Sequence, residues 1–188
     1  MKYLLPEFST IRVKIRKLTL SDAKAIHGRL RDKRIVRWTL NIPWPYTIED
    51  AKRFIRKASR NIKNKRGYAF GIALKETDEV IGVIDLSNID WRNKHGKIGY
   101  WMGSEYWGKG LMAEAVKLIL KFGFEHLKLH RIHASLFDEN TASRKVLEKC
   151  SFKREGTKRE ARLKSGKWHN VLQYGILSRE YKRKDNLA

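Results

Sequence analysis

The sequence predicts one mixed α/β domain, in which helices flank a central, mostly antiparallel sheet of about seven strands. Short runs rich in β-branched and aromatic residues, typical of strands, alternate with stretches whose apolar residues recur every three or four positions, typical of amphipathic helices. Several strand-like runs follow one another across short turns, which favours antiparallel pairing. The 188 residues, 41% of them hydrophobic, suffice for a single domain. We expect its core between about residues 11 and 177.

The first strand and the first helix follow from an alternating pattern and a capping residue. Ile11 to Lys17 alternates apolar and basic residues, as a half-buried strand does. Thr19 or Ser21 can then cap a helix to about Leu30, because a short hydroxyl side chain accepts a hydrogen bond from an otherwise unpaired amide. The stretch "NIPWPYTIED" (Asn41 to Asp50) contains two prolines and is expected to form a loop.

A capping box predicts where the second helix begins. Thr47 and Asp50 have the spacing at which each side chain bonds the backbone amide of the other residue. The apolar residues that follow share one stripe of a helix: Ala51, Phe54, Ile55, Ala58 and Ile62.

The middle of the chain predicts three consecutive strands and then a helix. Tyr68 to Leu74 and Val80 to Leu86 are β-rich runs, and Lys75 to Glu79 between them reads as a hairpin turn. Lys97 to Met102 is the third strand, and from Leu111 to about Leu127 the apolar residues recur at helical spacing.

The last part of the chain predicts one more strand, a capped helix and a final hairpin. Arg131 to Leu136 is the strand, and Asn140 caps the helix that follows it. The β-rich runs Phe152 to Leu163 and Trp168 to Leu177 are joined by the turn "KSGK". We expect the final residues, "YKRKDNLA", to be frayed.

The composition limits the partners and the cellular location. Lys and Arg number 42 against 20 Asp and Glu, a net charge of +22 spread along the whole chain. Such a surface attracts RNA, a ribosome, anionic lipid or a phosphate-rich cofactor, or it serves only solubility. A single cysteine, Cys150, excludes an intramolecular disulfide and offers no metal cluster, so no metal is expected. The start, "MKYLLPEFSTIR", lacks the apolar run of a signal peptide and no stretch resembles a membrane helix, so we expect a cytoplasmic protein without a membrane partner.

A glycine corner, Gly108 to Ala113, lies between the third strand and the following helix. Gly108 and Gly110 permit left-handed backbone and let a ligand approach the amides closely, and a helix start favours a phosphate. A tight turn that binds no ligand would account for the same two glycines. Gly108, Gly110 and Ala113 also match the G-x-G-x-x-A dinucleotide fingerprint, but that fingerprint normally closes an early βαβ unit, whereas helices and hairpins come first here.

Two segments together resemble the GNAT superfamily of acyl-CoA N-acyltransferases. "YWGKGLMAEA" looks like its pyrophosphate-binding motif, and "NTASRKVLEKCSF" looks like its later pantetheine-side motif. "IPWPYTIEDAKRFI", "KIGYW" and "GKWHNVLQYGIL" are similar to the RimJ/RimL-type branch, which acetylates protein N-termini, notably of ribosomal proteins. The resemblance runs from about Ile11 to Leu177 and implies the GNAT fold, a twisted and splayed sheet, with acetyl-CoA as cosubstrate.

The resemblance also implies which residues bind the cosubstrate. The amides of the glycine corner would hold the pyrophosphate, and the pantetheine arm would lie along the strand that ends at Met102, as an added strand does. Asn140 would face the arm, or only cap its helix. Ser143 would protonate the departing thiolate, or be an ordinary first-turn serine. The implied cosubstrate-binding residues are Trp101, Met102, Gly108, Lys109, Gly110, Leu111, Met112, Ala113, Asn140 and Ser143.

The catalytic base is less defined than the cosubstrate site. Lys97 stands where many relatives carry Glu, so another group must act as base if that Glu does so elsewhere. Glu160 and His133 are the remaining candidates, although each can have an ordinary structural role. The oxyanion donor would be a backbone amide near Met102. Ser151 stands where a glycine is usual and where a left-handed backbone is often needed, at a small cost in stability.

The expected acceptor is the α-amine of a protein N-terminus. An α-amine has a pKa near 8, so about a tenth is neutral at pH 7 and a weak base suffices. Trp38, Trp44 and Tyr46 could line the acceptor side or only pack there, and Arg34 and Arg37 could steer an acidic or RNA-bound partner or be solvated. We expect a ribosomal protein as acceptor, docking on ribosome or RNA, and a monomer or homodimer. The alternatives are a small-molecule N-acetyltransferase acting on an aminoglycoside or polyamine, and a non-enzymatic RNA-binding module.

Overall fold

A single mixed sheet with helices on both faces forms the domain. The structure is a computed structural model and describes residues 7–39 and 42–185. The strands are β1 (Phe8–Ser9), β2 (Val13–Lys17), β3 (Tyr68–Leu74), β4 (Val80–Asp90), β5 (His95–Met102), β6 (Arg131–Phe137), β7 (Lys153–Lys164) and β8 (Lys167–Leu177). The helices are α1 (Ala23–Leu30), α2 (Lys33–Val36), α3 (Ile48–Lys63), α4 (Leu111–Lys121), α5 (Thr141–Lys149) and α6 (Ser178–Asp185).

The sheet is antiparallel except at its centre. Its strand order is β1-β2-β3-β4-β5-β6-β8-β7, and among the described strands only β5 and β6 pair in parallel. This pairing covers three residues of each strand, from His95↔Arg131 to Lys97↔His133, after which the two strands separate. We call the opening between Ile98–Met102 of β5 and Ala134–Phe137 of β6 the wedge. The predicted mostly antiparallel, splayed sheet is confirmed, and the topology excludes the dinucleotide-binding alternative.

Two hydrophobic clusters hold the helices against the sheet. On one face, Ile84 and Leu86 of β4 belong to the cluster that contains the buried residues of α4 and α5. On the other face, Val83 belongs to the cluster that contains the buried residues of α1, α2 and α3. Alternate residues of one strand therefore serve opposite faces, as the period of two requires.

The predicted local signals form the elements as expected. The capping box at α3 is present, because Thr47 Oγ1 accepts from the Asp50 amide at 3.1 Å and Asp50 Oδ2 accepts from the Thr47 amide at 2.9 Å. The "KSGK" turn has Ser165 at φ 50° and Gly166 at φ 75°, both left-handed, as a two-residue hairpin turn requires. None of the described helices combines the length with the apolar character that crossing a bilayer requires.

Several element boundaries differ from the prediction. The short strand β1 adds an eighth strand to the expected seven or so. The α-helix after the glycine corner ends at Lys121 and continues as a π-helical turn over Phe122–His126. The tail was expected to be frayed, but residues 178–185 form α6, and Tyr181 packs against Phe124 with its hydroxyl donating to Glu125 at 3.0 Å. The first six residues, Asn41 of the predicted loop and the last three residues lie outside the described residues.

Candidate active site

The glycine corner has the backbone that its two glycines predict. Gly108 and Gly110 lie at φ 76° and φ 78°, in the left-handed region, and Gly110 is the N-cap of α4. A Cβ atom added at Gly108 would meet nothing within 4 Å, so any side chain there would project into open space. Leu111 and Ala113 are each 5% exposed, because their side chains point into the core. The first turn of α4 therefore offers backbone amides rather than side chains.

Cations surround the open space in front of this turn. A cavity of about 340 Å³ is lined by Arg12, Gly108, Lys109, Gly110, Ala113, Glu114, Lys117 and Lys149. Its one lining carboxylate, Glu114, is neutralised by Arg12, whose Nε donates to it at 2.8 Å, and also accepts from the Thr10 hydroxyl at 2.5 Å. The lysines, the unpaired amides and the helix dipole all favour a bound anion, so this cavity fits a phosphate group.

Trp107 fastens the turn that leads into the glycine corner. Its indole Nε1 donates to the Met102 carbonyl at 2.9 Å, while the ring remains 44% exposed. Met102 is buried at the end of β5, and the preceding Trp101 packs against the cluster formed with α1 to α3. This hydrogen bond ties the end of β5 to the turn that leads into α4. In the glycine corner itself, Lys109 is exposed and Met112 is half-buried.

The wedge brings the second predicted segment beside β5. Asn140 is 7% exposed and caps α5, because its Oδ1 accepts from the Ser143 amide at 3.0 Å. The carbonyl of Ser143 in turn accepts from the Tyr100 hydroxyl of β5 at 3.3 Å. Burial raises the pKa of Tyr100, so this hydroxyl stays protonated and donates. Asn140 and Ser143 therefore lie on the far side of the wedge from β5, and the predicted cap at Asn140 is confirmed.

A polar face lies on the opposite side of the sheet from α4. We define it by Asp85 and Ser87 of β4, Lys97 of β5 and His133 of β6. Trp101 of β5 packs towards α1 and α3, so Gly99 and Lys97, which alternate with it, share that face. In register, Asp85 lies opposite Gly99 and Ser87 opposite Lys97, and Lys97 pairs with His133.

Burial shifts the titration of these groups towards their neutral forms. It raises the pKa of the half-buried Asp85 to about 6, although Ser87 and Lys97 both act to lower it. Burial, with the nearby Arg162 and Lys158 of β7, lowers the pKa of Lys97. Burial and neighbouring cations likewise lower the pKa of His133.

The other predicted base lies elsewhere. Glu160 is exposed on β7, at φ 45° within an irregular stretch of the β7–β8 pairing, and its amide donates to Asn170 Oδ1 at 2.9 Å. Sequence reasoning missed Asp85 as a candidate. The available signal was an acidic residue inside the otherwise apolar strand "VIGVIDL", facing a glycine in the next strand.

The segment expected to line the acceptor side is pinned by the β7–β8 hairpin. Lys164 Nζ donates to the carbonyl of Val36 at 2.7 Å and also to that of Thr39. Tyr46 is buried, whereas Trp44 is 45% exposed. Trp38 stacks with Arg37 at 4.4 Å from its ring centre. Arg34 is paired with Asp32 at 2.7 Å.

Comparison with known proteins identifies the family of this fold. The model of an acetyltransferase (GNAT) domain matches residues 12–153. The chain belongs to the GNAT acetyltransferase family. It is 36% identical to the "Uncharacterized N-acetyltransferase p20" of Bacillus licheniformis over 173 residues, which cover 92% of this chain and 96% of that protein. The predicted family and the N-acetyltransferase class are confirmed, and the chain is therefore an enzyme rather than a non-enzymatic binding module.

Two solved GNAT structures place the chain close to the RimJ/RimL type. The ribosomal-protein-S5-alanine acetyltransferase from Vibrio fischeri superposes with a TM-score of 0.83 at 26% identity, covering 94% of this chain and 98% of that chain. RimJ from Mycobacterium smegmatis, in complex with CoA-disulfide, superposes with a TM-score of 0.83 at 26% identity, covering 93% and 88% of the two chains. In both comparisons the likeness covers more than nine tenths of this GNAT chain.

Proposed function

We propose that this enzyme transfers the acetyl group of acetyl-CoA directly to the α-amine of a protein N-terminus, with a ribosomal protein as acceptor. The observation that carries the proposal is the juxtaposition of the glycine corner with the wedge. An anion-binding helix start lies at one end of a strand edge that has no neighbouring strand, and an extended ligand can pair with such an edge.

The residues around the wedge fit acetyl-CoA. The cations and amides of the cavity suit its phosphates, and the edge of Ile98–Trp101 of β5 that faces the wedge has no strand beside it and can pair with the amides of its pantetheine arm. Asn140 and Ser143 face this edge from α5. When bound, acetyl-CoA supplies the activated acetyl group, and Ser143 would give a proton to the sulfur that leaves. The oxyanion donor would be a backbone amide near Met102.

The acceptor is inferred from charge and from relatives. The polar face that would receive the amine contains the carboxylate Asp85 and the cation Lys97, and the cations Lys158 and Arg162 of β7 lie near Lys97. A polycationic aminoglycoside or polyamine would be repelled there, whereas a single α-amine presents one charge. The ribosomal-protein-S5-alanine acetyltransferase from Vibrio fischeri has the same fold as this chain and is 26% identical to it in sequence.

The basic surface has one ordered stripe that suits a polyanion. Arg56, Lys57, Arg60 and Lys63 are exposed on α3, and no carboxylate lies within ion-pair distance of them among the described residues. Their spacing of three and four residues aligns them along one side of the helix. We infer that this stripe docks the enzyme on ribosomal RNA while the N-terminus is modified.

Calorimetric titration with acetyl-CoA, followed by a peptide assay, tests the proposed reaction. We expect binding of acetyl-CoA, and mass spectrometry should find an acetyl group on the α-amine of peptides that carry ribosomal-protein N-termini. The same peptides with a blocked α-amine and a free lysine are the control and should remain unmodified. Transfer to polyamines or aminoglycosides but not to peptides would overturn the assigned acceptor.

Ribosome co-sedimentation at low and high salt tests the docking stripe. The charge-reversed pair Arg56→Glu and Arg60→Glu should release the enzyme at a salt concentration where wild type still binds. The matched control, Arg92→Glu with Arg179→Glu, makes the same change in net charge on other elements and should release much less. Equal release by both pairs would show that only total charge matters, and no binding at low salt would exclude docking.

A further inference from the structure

The carboxylate of Asp85 leans across β5 at the wedge. Asp85 lies directly opposite Gly99 in the β4–β5 register. A Cβ atom built on Gly99 would come within 2.9 Å of Asp85 Oδ2, so the carboxylate occupies the space that any other residue's side chain would fill. Gly99 itself belongs to Ile98–Met102, the part of β5 that has lost its β6 neighbour. The carboxylate therefore lies over the part of β5 that borders the wedge.

The neighbouring position on β5 carries a lysine and not a carboxylate. Lys97 lies two residues before Gly99 on the same face and carries a cationic side chain. The groups that face Asp85 are Ser87 on its own strand and Lys97 on β5. Beyond Lys97 lie Arg162 and Lys158 from β7, and His133 from β6. A second carboxylate, Glu155 of β7, acts on His133 but is paired with Arg131, so Asp85 is the carboxylate that lies beside Lys97 and Gly99.

We propose that Asp85 is the general base of the reaction, accepting a proton from the acceptor's ammonium group at the edge of the wedge. This assignment rests on the proposed function, because it requires acetyl transfer to an amine that arrives charged. Asp85 extends from β4 over Gly99 of β5. A carboxylate from the adjacent strand would therefore act as the base in place of a carboxylate at position 97.

The step balances in atoms and charge. Asp85 takes one proton from the ammonium group and leaves a neutral amine, whose nitrogen forms a bond to the thioester carbonyl carbon. The carbon–sulfur bond then breaks, and Ser143, the proposed donor, gives its proton to the sulfur. The second proton of the nitrogen restores the Ser143 hydroxyl. Asp85 afterwards releases its proton to solvent. The products are the N-acetylated acceptor, free CoA and one proton.

The titration of Asp85 suits this role. A base with a pKa of about 6 is largely ionised at pH 7.5 yet basic enough to compete for the proton of an amine. Glu160 is exposed on β7 and is solvated there. His133 pairs with Lys97 at the last residue before the strands separate, and the surrounding cations disfavour the protonated form that a base must reach.

The pH dependence of kcat/KM for a peptide α-amine tests the assignment. In wild type the acid side should rise with an apparent pKa of about 6 and then level off. In Asp85→Asn only acceptor that is already neutral can react, so this limb should move to about 8, the pKa of the free amine. At pH 7 the shifted limb alone lowers kcat/KM about tenfold, and loss of the base's own contribution to the rate should bring the fall to roughly 100-fold. Asp85→Glu should restore part of the rate and move the limb back below 8.

Stability and acetyl-CoA affinity separate catalysis from folding. Burial raises the pKa of Asp85, so its ionisation opposes folding above about pH 4, and Asp85→Asn should not lower the melting temperature at pH 7.5. The affinity of Asp85→Asn for acetyl-CoA, measured by calorimetry, should equal that of wild type. Glu160→Gln and the exposed turn variant Glu76→Gln should keep the wild-type limb.

The outcomes distinguish the base from the function. If wild type acetylates the peptide and Asp85→Asn keeps both its rate and its limb near pH 6, the assignment of Asp85 is wrong while the proposed function stands. If Glu160→Gln moves the limb instead, Glu160 is the base. If wild type acetylates no α-amine, the proposed function fails and the role of Asp85 fails with it.

Discussion

The glycine corner and the polar face lie near opposite ends of the free edge of β5, and they depend on different physics. At the glycine corner the useful groups are backbone amides, held by two left-handed glycines and a helix start. At the polar face they are side chains from three strands, brought together by register. The first depends on the backbone conformation of its glycines, whereas the second depends on which side chain stands at each pair of facing strand positions.

The largest effect is expected from adding a carboxylate at the glycine corner. Gly108→Asp should weaken acetyl-CoA binding by 100-fold or more, since two like charges 4 Å apart repel by about 4 kcal/mol at an effective dielectric constant of 20. The matched control is Gly166→Asp, because Gly166 has a similar φ of 75° and equally open surroundings at the β7–β8 turn. If calorimetry finds the same affinity for acetyl-CoA in both variants, the glycine corner is a tight turn and does not bind the phosphates.

A smaller effect, on turnover alone, is expected at the other end of the edge. Gly99→Ala places a methyl group where Asp85 Oδ2 lies 2.9 Å away, so the carboxylate must move. We expect kcat to fall at least about tenfold, as for a displaced catalytic group, while the affinity for acetyl-CoA stays within about twofold. Gly156→Ala on β7, where an added Cβ meets nothing within 4 Å, is the control. Equal loss of affinity and turnover would contradict the separation of the two regions.

A shift in pH dependence should follow from removing the cation beside Asp85. Lys97 lowers the pKa of Asp85, so Lys97→Met should raise that pKa further above its ordinary value. The acid limb of kcat/KM should therefore move from about 6 to higher pH, by less than about one unit. A limb that moves to lower pH would show that another group titrates.

The smallest effect is expected away from both regions. Ser151 follows α5 at φ 69°, which confirms the predicted left-handed backbone at a position without glycine. Ser151→Gly should increase the free energy of unfolding by about 0.5–1 kcal/mol in urea, because glycine adopts this conformation without steric cost. Ser59→Gly inside α3 should have the opposite sign. A destabilised Ser151→Gly would show that the hydroxyl or the unfolded state matters more.

Much of the fold and one half of the site could be predicted from the sequence. Capping residues, hairpin turns and apolar periodicity are local signals, so the helix caps at Thr47 and Asn140 and the turn at Gly166 are where the pattern places them. The glycine corner is equally local, since Gly108 and Gly110 carry their backbone requirement in their own chemistry. The segment "YWGKGLMAEA" therefore predicted its own conformation, and together with "NTASRKVLEKCSF" it predicted the family.

Tertiary structure alone decided the other half. The short β5–β6 pairing creates the wedge, and no local signal reports that two strands separate after Lys97 and His133. The same holds for the proposed base, because no local pattern relates Asp85 to Gly99. The two residues become neighbours only when β4 pairs with β5. The sequence by itself determined the anion-binding amides of the glycine corner, because their conformation depends on residues that are neighbours along the chain. The side-chain chemistry was decided by which strands pair and where they part, since those contacts join residues that the chain keeps separate.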